Sequence, residues 1–191
     1  YEEELLILDR IVNKELESID VGVYRGVYTY RLSQLSKHVY SFEPNPLIFP
    51  YLDKNLKKIV KNITLYNTAL SDVKTVTDLK IPKRFNTIIK KNYEERYKLG
   101  TATIHKNNLF INKEFITCKV KTERLDDLLA SKNIGFIKID VEGHEKNVLM
   151  GGENLIKKNK PILLVEIEEQ HSKEKVEDTI NFINNLGYKS Y

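Results

Sequence analysis

Four polar side chains follow a short apolar run in the C-terminal half of the chain. Asp140, Glu142, His144 and Glu145 come directly after the sequence Phe-Ile-Lys-Ile at positions 136–139. Strands that are buried on both faces have near-continuous apolar sequences, and ligands bind just beyond their carboxyl ends. Carboxylates and imidazole groups can accept and donate protons in catalysis. The sequence therefore predicts a catalytic or binding site at the end of this strand.

A glycine-containing turn joins a predicted strand at 17–21 to a helix. Gly22 and Gly26 lie four residues apart, and Asp20 comes two residues before the first glycine. A glycine directly after a strand lets a ligand approach the backbone, and the N-terminus of the next helix attracts negative charge. The dinucleotide fingerprint requires a third glycine, so a dehydrogenase is the least favoured interpretation. The turn is either a cofactor-binding loop or a turn selected for packing.

An acid ends the second predicted strand, at 38–42. Glu43 follows this strand about 20 residues after the glycine turn, the position from which an acid accepts both ribose hydroxyl groups in nucleotide-binding folds. Alternatively, Glu43 supplies negative charge to the N-terminus of a helix that begins at Pro46. The glycine turn favours the first interpretation. Together, the glycine turn and Glu43 predict a cofactor that contains a nucleoside.

Strands and helices alternate along most of the chain, which is typical of an α/β fold with a mostly parallel sheet and helices on both faces. The pattern predicts further strands at 63–66, 73–81, 116–122, 136–139 and 161–167, the last of these fully buried, and a final strand that begins at 188. Helices are predicted at 1–15, 26–36, 46–58, 125–129, 147–158 and 176–186, and Gly151-Gly152 is expected to interrupt the helix at 147–158. The helix at 1–15 is expected to cover an edge of the sheet, and residues 82–115 to form a basic insertion or lid. All 191 residues are expected to form one domain.

Charge is distributed unevenly. The net charge is +4, but positions 80–121 contain eleven Lys and Arg against three Glu, a local +8 that leaves −4 for the rest. This segment indicates either an anionic partner or a solvated basic face. The single cysteine, Cys118, rules out an internal disulfide and is typical of a reducing compartment. No apolar run approaches the roughly 20 residues of a membrane helix. No signal peptide is recognisable, so a cytoplasmic protein is expected.

Five short sequence blocks occur in a fixed order. They are Asp20-Val21-Gly22-(x)3-Gly26, Ser41-Phe42-Glu43-Pro44-Asn45-Pro46, Ala69-Leu70-Ser71-Asp72, Leu125-Asp126-Asp127-Leu128 and Ile137-Lys138-Ile139-Asp140-Val141-Glu142-Gly143. Over about positions 19–167 the chain resembles the FkbM-type methyltransferases, class I enzymes that use S-adenosylmethionine. The second and last blocks together make the resemblance specific. It implies a Rossmann-like fold and methyl transfer to a hydroxyl of a sugar, glycan or small natural product.

The resemblance also implies which residues bind the cofactor. These are Asp20, Gly22 and Gly26 at the methionine end, Glu43 and Asn45 at the ribose, and Ser71 and Asp72 near the adenine. For the short polar residues after the third strand, the alternative is a simple Asx or Ser turn.

The chain departs from the family pattern at two places. The glycine turn usually carries Ala-Asn where this chain has Val23-Tyr24, which places bulk beside the methionine end. Arg25 could pair there with the cofactor carboxylate. The family domain also normally ends in a returning antiparallel edge strand, and this sequence stops at Tyr191, so that strand is expected to be missing. The alternatives are a truncated chain and an edge completed by another chain, such as a homodimer partner.

Methyl transfer to an alcohol needs a base that takes the hydroxyl proton. Asp140 is the first candidate because it ends a buried strand beside other acids, and Glu142 is the second. His144 has a suitable intrinsic pKa, but it could instead lie in the first turn of the next helix. Glu145 and Lys146 are predicted to be solvated. The alternative is a metal site formed by Asp140, Glu142, Glu166 and His144, but no zinc-type spacing occurs, so no metal is predicted.

Two other classes of function remain as alternatives. The basic segment favours a nucleic-acid methyltransferase, but base-methylating enzymes resemble Asn/Asp-Pro-Pro-aromatic at positions 140–143, and this chain has no such sequence. The bulky turn favours a non-catalytic binding domain with the same fold. We expect a small-molecule or glycan acceptor, and the basic segment favours an anionic one.

Overall fold

A parallel five-stranded sheet forms the centre of the protein. The computed structural model describes residues 3–82, 101–104, 114–167 and 176–189. Its strands are β1 (Glu17–Val21), β2 (Val39–Phe42), β3 (Ile63–Tyr66), β4 (Ala69–Leu70), β5 (Thr75–Pro82), β6 (Phe115–Glu123), β7 (Ile134–Ile139) and β8 (Ile162–Val165). Five of them form the parallel sheet in the order β3-β2-β1-β7-β8. This confirms the predicted Rossmann-like, mostly parallel sheet.

The strand order brings predicted site residues to one edge of the sheet. The chain leaves β1 towards β2 and β3 on one side and later returns to β7 on the other side. Because the five strands are parallel, their carboxyl ends lie along the same edge. A reversal of strand order opens a crevice at that edge, which is where ligands bind in open α/β sheets. Gly22, Glu43 and Asp140 directly follow β1, β2 and β7.

Helices pack against the sheet in two separate core clusters. A 3-10 helix at Glu3–Leu6 precedes α1 (Leu8–Ile11), α2 (Val27–Leu35), α3 (Phe49–Ile59), α4 (Leu125–Leu129), α5 (Glu145–Gly151), α6 (Glu153–Asn159) and α7 (Val176–Asn185). The first cluster joins α1, α2 and α3 to the sheet, and the second joins α4, α5, α6 and α7 to it. Val39 belongs to the first cluster and Tyr40 to the second. Successive strand residues point to opposite faces, so the sheet is covered on both.

A smaller sheet packs against the turn that follows β1. Its order is β4-β6-β5, with β5 antiparallel to β6. Thr103 adds an antiparallel bridge to Lys80 of β5. Leu79 and Val120 from this sheet pack in a third core cluster with Val23 from the turn. The small sheet therefore lies beside the carboxyl edge of the large one.

Two predicted elements differ from the structure. The single helix at 1–15 is wrong, because the 3-10 helix is followed by the four-residue α1, and Leu8 packs on a face of the sheet with Leu32 rather than on an edge. The helix at 147–158, by contrast, is interrupted as predicted: α5 and α6 are separated at Gly152, where a Cβ would lie 2.9 Å from Leu125. The strand at 161–167 was expected to be fully buried, but Ile162 of β8 is 44% exposed. No described strand pairs with the outer side of β8.

Parts of two predictions fall outside the described residues. Of the predicted basic insertion at 82–115, positions 83–100 and 105–113 are not described. Tyr188 and Lys189 are not in a strand, and positions 190–191 lie outside the description. Within the described ranges, no helix combines the length and the apolar character that crossing a membrane requires.

Candidate active site

A cavity lies at the carboxyl edge of the large sheet, between β1, β2 and β7 on one side and the small sheet on the other. The predicted site residues that line it are Gly22, Glu43, Asp140, Glu142 and His144. Leu79, Ala102 and Ile104 add an apolar wall. The remaining predicted residues do not line the cavity: Asp20, Gly26, Asn45, Ser71 and Asp72.

Gly22 brings two sides of the cavity together. Its φ is +84°, and a Cβ on this residue would lie 1.8 Å from the carbonyl oxygen of Asp140. The Asp140 amide in turn donates to the carbonyl of Val21. Only glycine allows both this conformation and this approach. The turn after β1 and the end of β7 are therefore in backbone contact, which explains the glycine independently of any ligand.

The two bulky residues of the turn have different surroundings. Val23 is 5% exposed and packs with Leu79 and Leu52 in the third core cluster, so it does not line the cavity. Tyr24 lines the cavity and has a left-handed backbone with φ +48°. The guanidinium carbon of Arg25 lies 5.4 Å from the centre of the Tyr24 ring, a cation–π contact. Of the two bulky replacements, Tyr24 alone borders the predicted cofactor position.

Glu43 is held by backbone groups on both of its carboxylate oxygens. Oε2 accepts a hydrogen bond from the Tyr24 amide at 2.8 Å, and Oε1 accepts one from the Asn45 amide at 2.9 Å. Burial raises the pKa of Glu43 to about 7, although these hydrogen bonds act in the opposite direction. Asn45 is fully buried, and its Oδ1 accepts from the Leu47 amide. Asn45 thus shapes the turn that presents Glu43 to the cavity.

Asp20 and Gly26 stabilise the glycine turn without lining the cavity. Asp20 is fully buried, and its Oδ2 accepts a hydrogen bond of 2.6 Å from Thr29 of α2. Burial raises the pKa of Asp20, while Lys138 opposes this effect. Gly26 precedes α2 with φ +81°, and a Cβ there would lie 3.2 Å from Leu56. Their predicted contact with the methionine end of a cofactor stays a prediction.

Ser71 and Asp72 connect β4 to the start of α5. Ser71 Oγ lies 3.0 Å from His144 Nε2 and donates to Asp72 Oδ1. Asp72 Oδ1 also accepts from Asn147 of α5. Burial favours a higher pKa for Asp72, but the hydrogen bonds from Asn147 and Ser71 outweigh it and lower the pKa. These contacts fix the position of His144; a contact with adenine stays a prediction.

Asp140 and Glu142 both reach the cavity from the segment after β7. Asp140 Oδ2 accepts a hydrogen bond of 3.1 Å from Lys138 Nζ, and the Asp140 side chain is 35% exposed. Asp140 was the first candidate for the base because it ends a buried strand, but its own side chain is only partly buried. Glu142 has φ +55°, and its carbonyl accepts from Thr103 Oγ1 at 2.8 Å. His144 directly precedes α5 and so lies just before the first turn, in which its alternative interpretation placed it.

The prediction that Glu145 is solvated is wrong. Glu145 is 5% exposed, and its Oε1 accepts hydrogen bonds from the amides of Gly143 at 2.9 Å and Val141 at 3.4 Å. Burial raises its pKa, and the backbone hydrogen bonds oppose this. An acid in the first turn of a helix is favoured by the positive end of the helix dipole, and this signal could have indicated a structural role for Glu145. Glu145 orders the segment that carries Glu142.

Replacing Glu145 with alanine should destabilise the protein by about 1–3 kcal/mol, because two part-buried backbone amides lose their acceptor. Glu153 is the matched control, since it lies in the first turn of α6 but forms an exposed pair with Lys157. Glu153→Ala should cost no more than about 0.5 kcal/mol. Urea unfolding measures both values. Equal stabilities for the two variants would contradict the structural role of Glu145.

Within the described ranges, no group of three or more His, Cys, Asp or Glu side chains is arranged to hold a metal ion. Glu166, the third acid of the metal alternative, is exposed and is not among the residues that line the cavity.

Comparison with solved structures finds similar folds. A crystal structure of the methyltransferase FkbM from Methylobacillus flagellatus matches 90% of this chain with a TM-score of 0.61 and 17% identity. The match covers 37% of that longer chain. Two shorter matches have TM-scores of 0.33. One is a Streptococcus mutans protein in complex with SAH, at 26% identity over 36% of this chain and 39% of that one. The other is an rRNA methylase from Streptococcus thermophilus, at 22% identity over 35% and 41%.

The comparison with curated proteins finds no match. The model of the methyltransferase FkbM domain, by contrast, matches residues 20–190, which include every residue that lines the cavity. The chain therefore belongs to the FkbM methyltransferase domain family.

Proposed function

We propose that this protein transfers a methyl group from S-adenosylmethionine to a hydroxyl of a sugar, glycan or small natural product. The observation that carries the proposal is the arrangement of acids around one cavity. Glu43 faces it from the end of β2, and Asp140 and Glu142 face it from beyond β7. Gly22 lies between them and keeps the two sides in contact. A donor and an acceptor can thus be held next to each other, as methyl transfer requires.

The residues present fit the cofactor. A carboxylate offers about four acceptor positions, and backbone amides use two of those on Glu43, so acceptors remain for the ribose hydroxyl groups. The apolar wall of Leu79, Ala102 and Ile104 suits the face of an adenine ring.

The bound cofactor would supply a methyl group activated by a sulfonium centre. The residues of the chain would position it, exclude water and move one proton. Asp140 is the first candidate for the base, because Lys138 fixes one carboxylate oxygen and thereby orients the other. Glu142 is the second candidate. His144 is held by Ser71 at the border of the cavity and could relay a proton.

Asp140→Asn should leave cofactor affinity within about threefold of the wild type and lower methyl transfer by 100-fold or more, the usual range for loss of a general base being about 10²–10⁴. The assay offers methyl-labelled S-adenosylmethionine with sugars, nucleotide sugars, glycans and RNA as separate acceptors. Wild-type turnover in Asp140→Asn would exclude Asp140 as the base. Labelling of RNA alone would favour a nucleic-acid methyltransferase, and labelling of no acceptor by a protein that binds the cofactor would favour a non-catalytic domain.

A further inference from the structure

A buried lysine lies directly behind the cavity. Lys138 is 5% exposed, lies in β7, and pairs in register with Asp20 of β1. A buried ammonium group is strongly unfavourable unless it is paired and hydrogen-bonded. Lys138 Nζ lies 3.0 Å from the Gly22 carbonyl oxygen, 3.1 Å from Asp140 Oδ2 and 3.8 Å from Asp20 Oδ1. One ammonium group therefore joins three separate points of the site.

Two of these three partners line the cavity, whereas Lys138 does not. Gly22 and Asp140 form adjoining parts of the wall, and their backbones are already in contact. Backbone contact alone does not fix the direction of the Asp140 carboxylate, which is 35% exposed, because a side chain has several staggered rotamers on one backbone. The hydrogen bond from Lys138 supplies that missing constraint. It also holds the Gly22 carbonyl, so the carboxylate and the turn keep one relative position.

We infer that Lys138 is a positioning residue for the amino-acid end of the cofactor, an inference that rests on the proposed function. Lys138 holds the Gly22 backbone, against which that charged end binds, in one position relative to Asp140. Glu43 lies at the end of a different strand, β2, and would bind the ribose. Loss of Lys138 should therefore weaken ligands that carry an amino-acid end and spare those that lack it.

The competing explanation is that Lys138 only neutralises Asp20. A buried ion pair of that kind affects folding, and its loss leaves an uncompensated charge. It would lower stability, and in the folded protein it would change the affinity for all ligands of the cavity equally or not at all. The two explanations thus differ in ligand selectivity rather than in stability.

Calorimetric titration with two ligands distinguishes them. S-adenosylhomocysteine, the demethylated form of the cofactor, carries the amino-acid end, and 5′-methylthioadenosine shares its neutral thioether and adenosine group but lacks that end. For Lys138→Met we expect at least about a tenfold loss of affinity for the first ligand, as for one charge-assisted hydrogen bond. For the second ligand we expect a change below about threefold. Lys138→Arg keeps the charge and should recover part of the affinity for S-adenosylhomocysteine.

Lys132→Met is the baseline control. The Lys132 ammonium group lies 5.3 Å from the centre of the Tyr40 ring, and Lys132 does not line the cavity. Its replacement should leave both affinities unchanged. If Lys138→Met does not fold, the double variant Asp20→Asn/Lys138→Met removes the acid that the lysine neutralises and is compared with Asp20→Asn alone. The same selective loss is expected in that pair.

Three outcomes would overturn the inference. Equal losses for both ligands would assign Lys138 a general structural role, and unchanged affinities would show that it does not position the wall. Both results require a wild-type protein that binds S-adenosylhomocysteine, so they leave the proposed function intact. A wild-type protein that does not bind S-adenosylmethionine would instead overturn the proposed function and this inference with it.

Discussion

Gly22→Ala should strongly destabilise the protein. The new methyl group would lie 1.8 Å from the Asp140 carbonyl oxygen, on a residue whose φ is +84°. Left-handed strain and overpacking each cost about 1–3 kcal/mol, so the expected loss is roughly 2–6 kcal/mol. Because the turn must move away from β7, the folded fraction should also lose affinity for S-adenosylmethionine. Urea unfolding and calorimetric titration measure the two effects.

Gly187→Ala is the control for the backbone conformation. Gly187 has a similar φ of +87°, but a Cβ there would meet only the end of the flexible Lys160 side chain, at 3.3 Å. Its expected cost is the left-handed penalty of about 1–2 kcal/mol, with cofactor affinity unchanged. If Gly22→Ala were no more destabilising than Gly187→Ala, the close contact between the turn and β7 would be refuted.

Glu43 should give stability and cofactor binding opposite dependences on pH. Burial raises the pKa of Glu43 in the folded protein to about 7, from an ordinary value of 4.5. Its contribution to stability is therefore fully present below pH 4.5 and is lost as the pH rises towards 7. At about 1.4 kcal/mol for each pKa unit, the loss amounts to about 3 kcal/mol. Cofactor affinity should change in the other direction, because the ionised carboxylate is the stronger acceptor for ribose hydroxyl groups.

Glu43→Gln isolates this effect from the other buried acids. Asp20 and Glu145 also have raised pKa values, so the variant should keep the part of the pH dependence that they cause. The measurement compares unfolding free energies and S-adenosylmethionine affinities of both proteins between about pH 5 and about pH 8. The wild type should lose more stability than the variant across this range and should gain affinity where the variant does not. Parallel curves for the two proteins would contradict the role of Glu43.

The sequence predicted the convergence of the site but not the side-chain directions within it. Gly22, Glu43 and Asp140 each follow a predicted strand, and parallel strands bring their carboxyl ends to one edge. Those three residues could therefore be placed together before the fold was known. Val23 could not be assigned to the third core cluster, because its packing partners lie on α3 and on the small sheet. No local pattern contains that information.

The sequence also did not predict which charged side chains are buried. Glu145 was expected in solvent because acids rarely lie inside a protein, yet it binds the amides of Val141 and Gly143. Lys138 interrupts an apolar strand, and its partners Gly22 and Asp20 lie on a strand and turn far away in the sequence. Burial of a charge depends on the groups that pair with it. Those groups become known only when β1 and β7 are seen side by side.

Calorimetric titration of the wild-type protein with S-adenosylmethionine tests the central claim most directly. We expect saturable binding at one site per chain, with Glu43→Ala weakening it by at least about tenfold through loss of the ribose contact. The titration should be done near pH 8, where the Glu43 carboxylate, with its pKa of about 7, is ionised. An intact wild-type protein that shows no binding, or binding that Glu43→Ala leaves unchanged, would contradict the assignment of this cavity as the cofactor site.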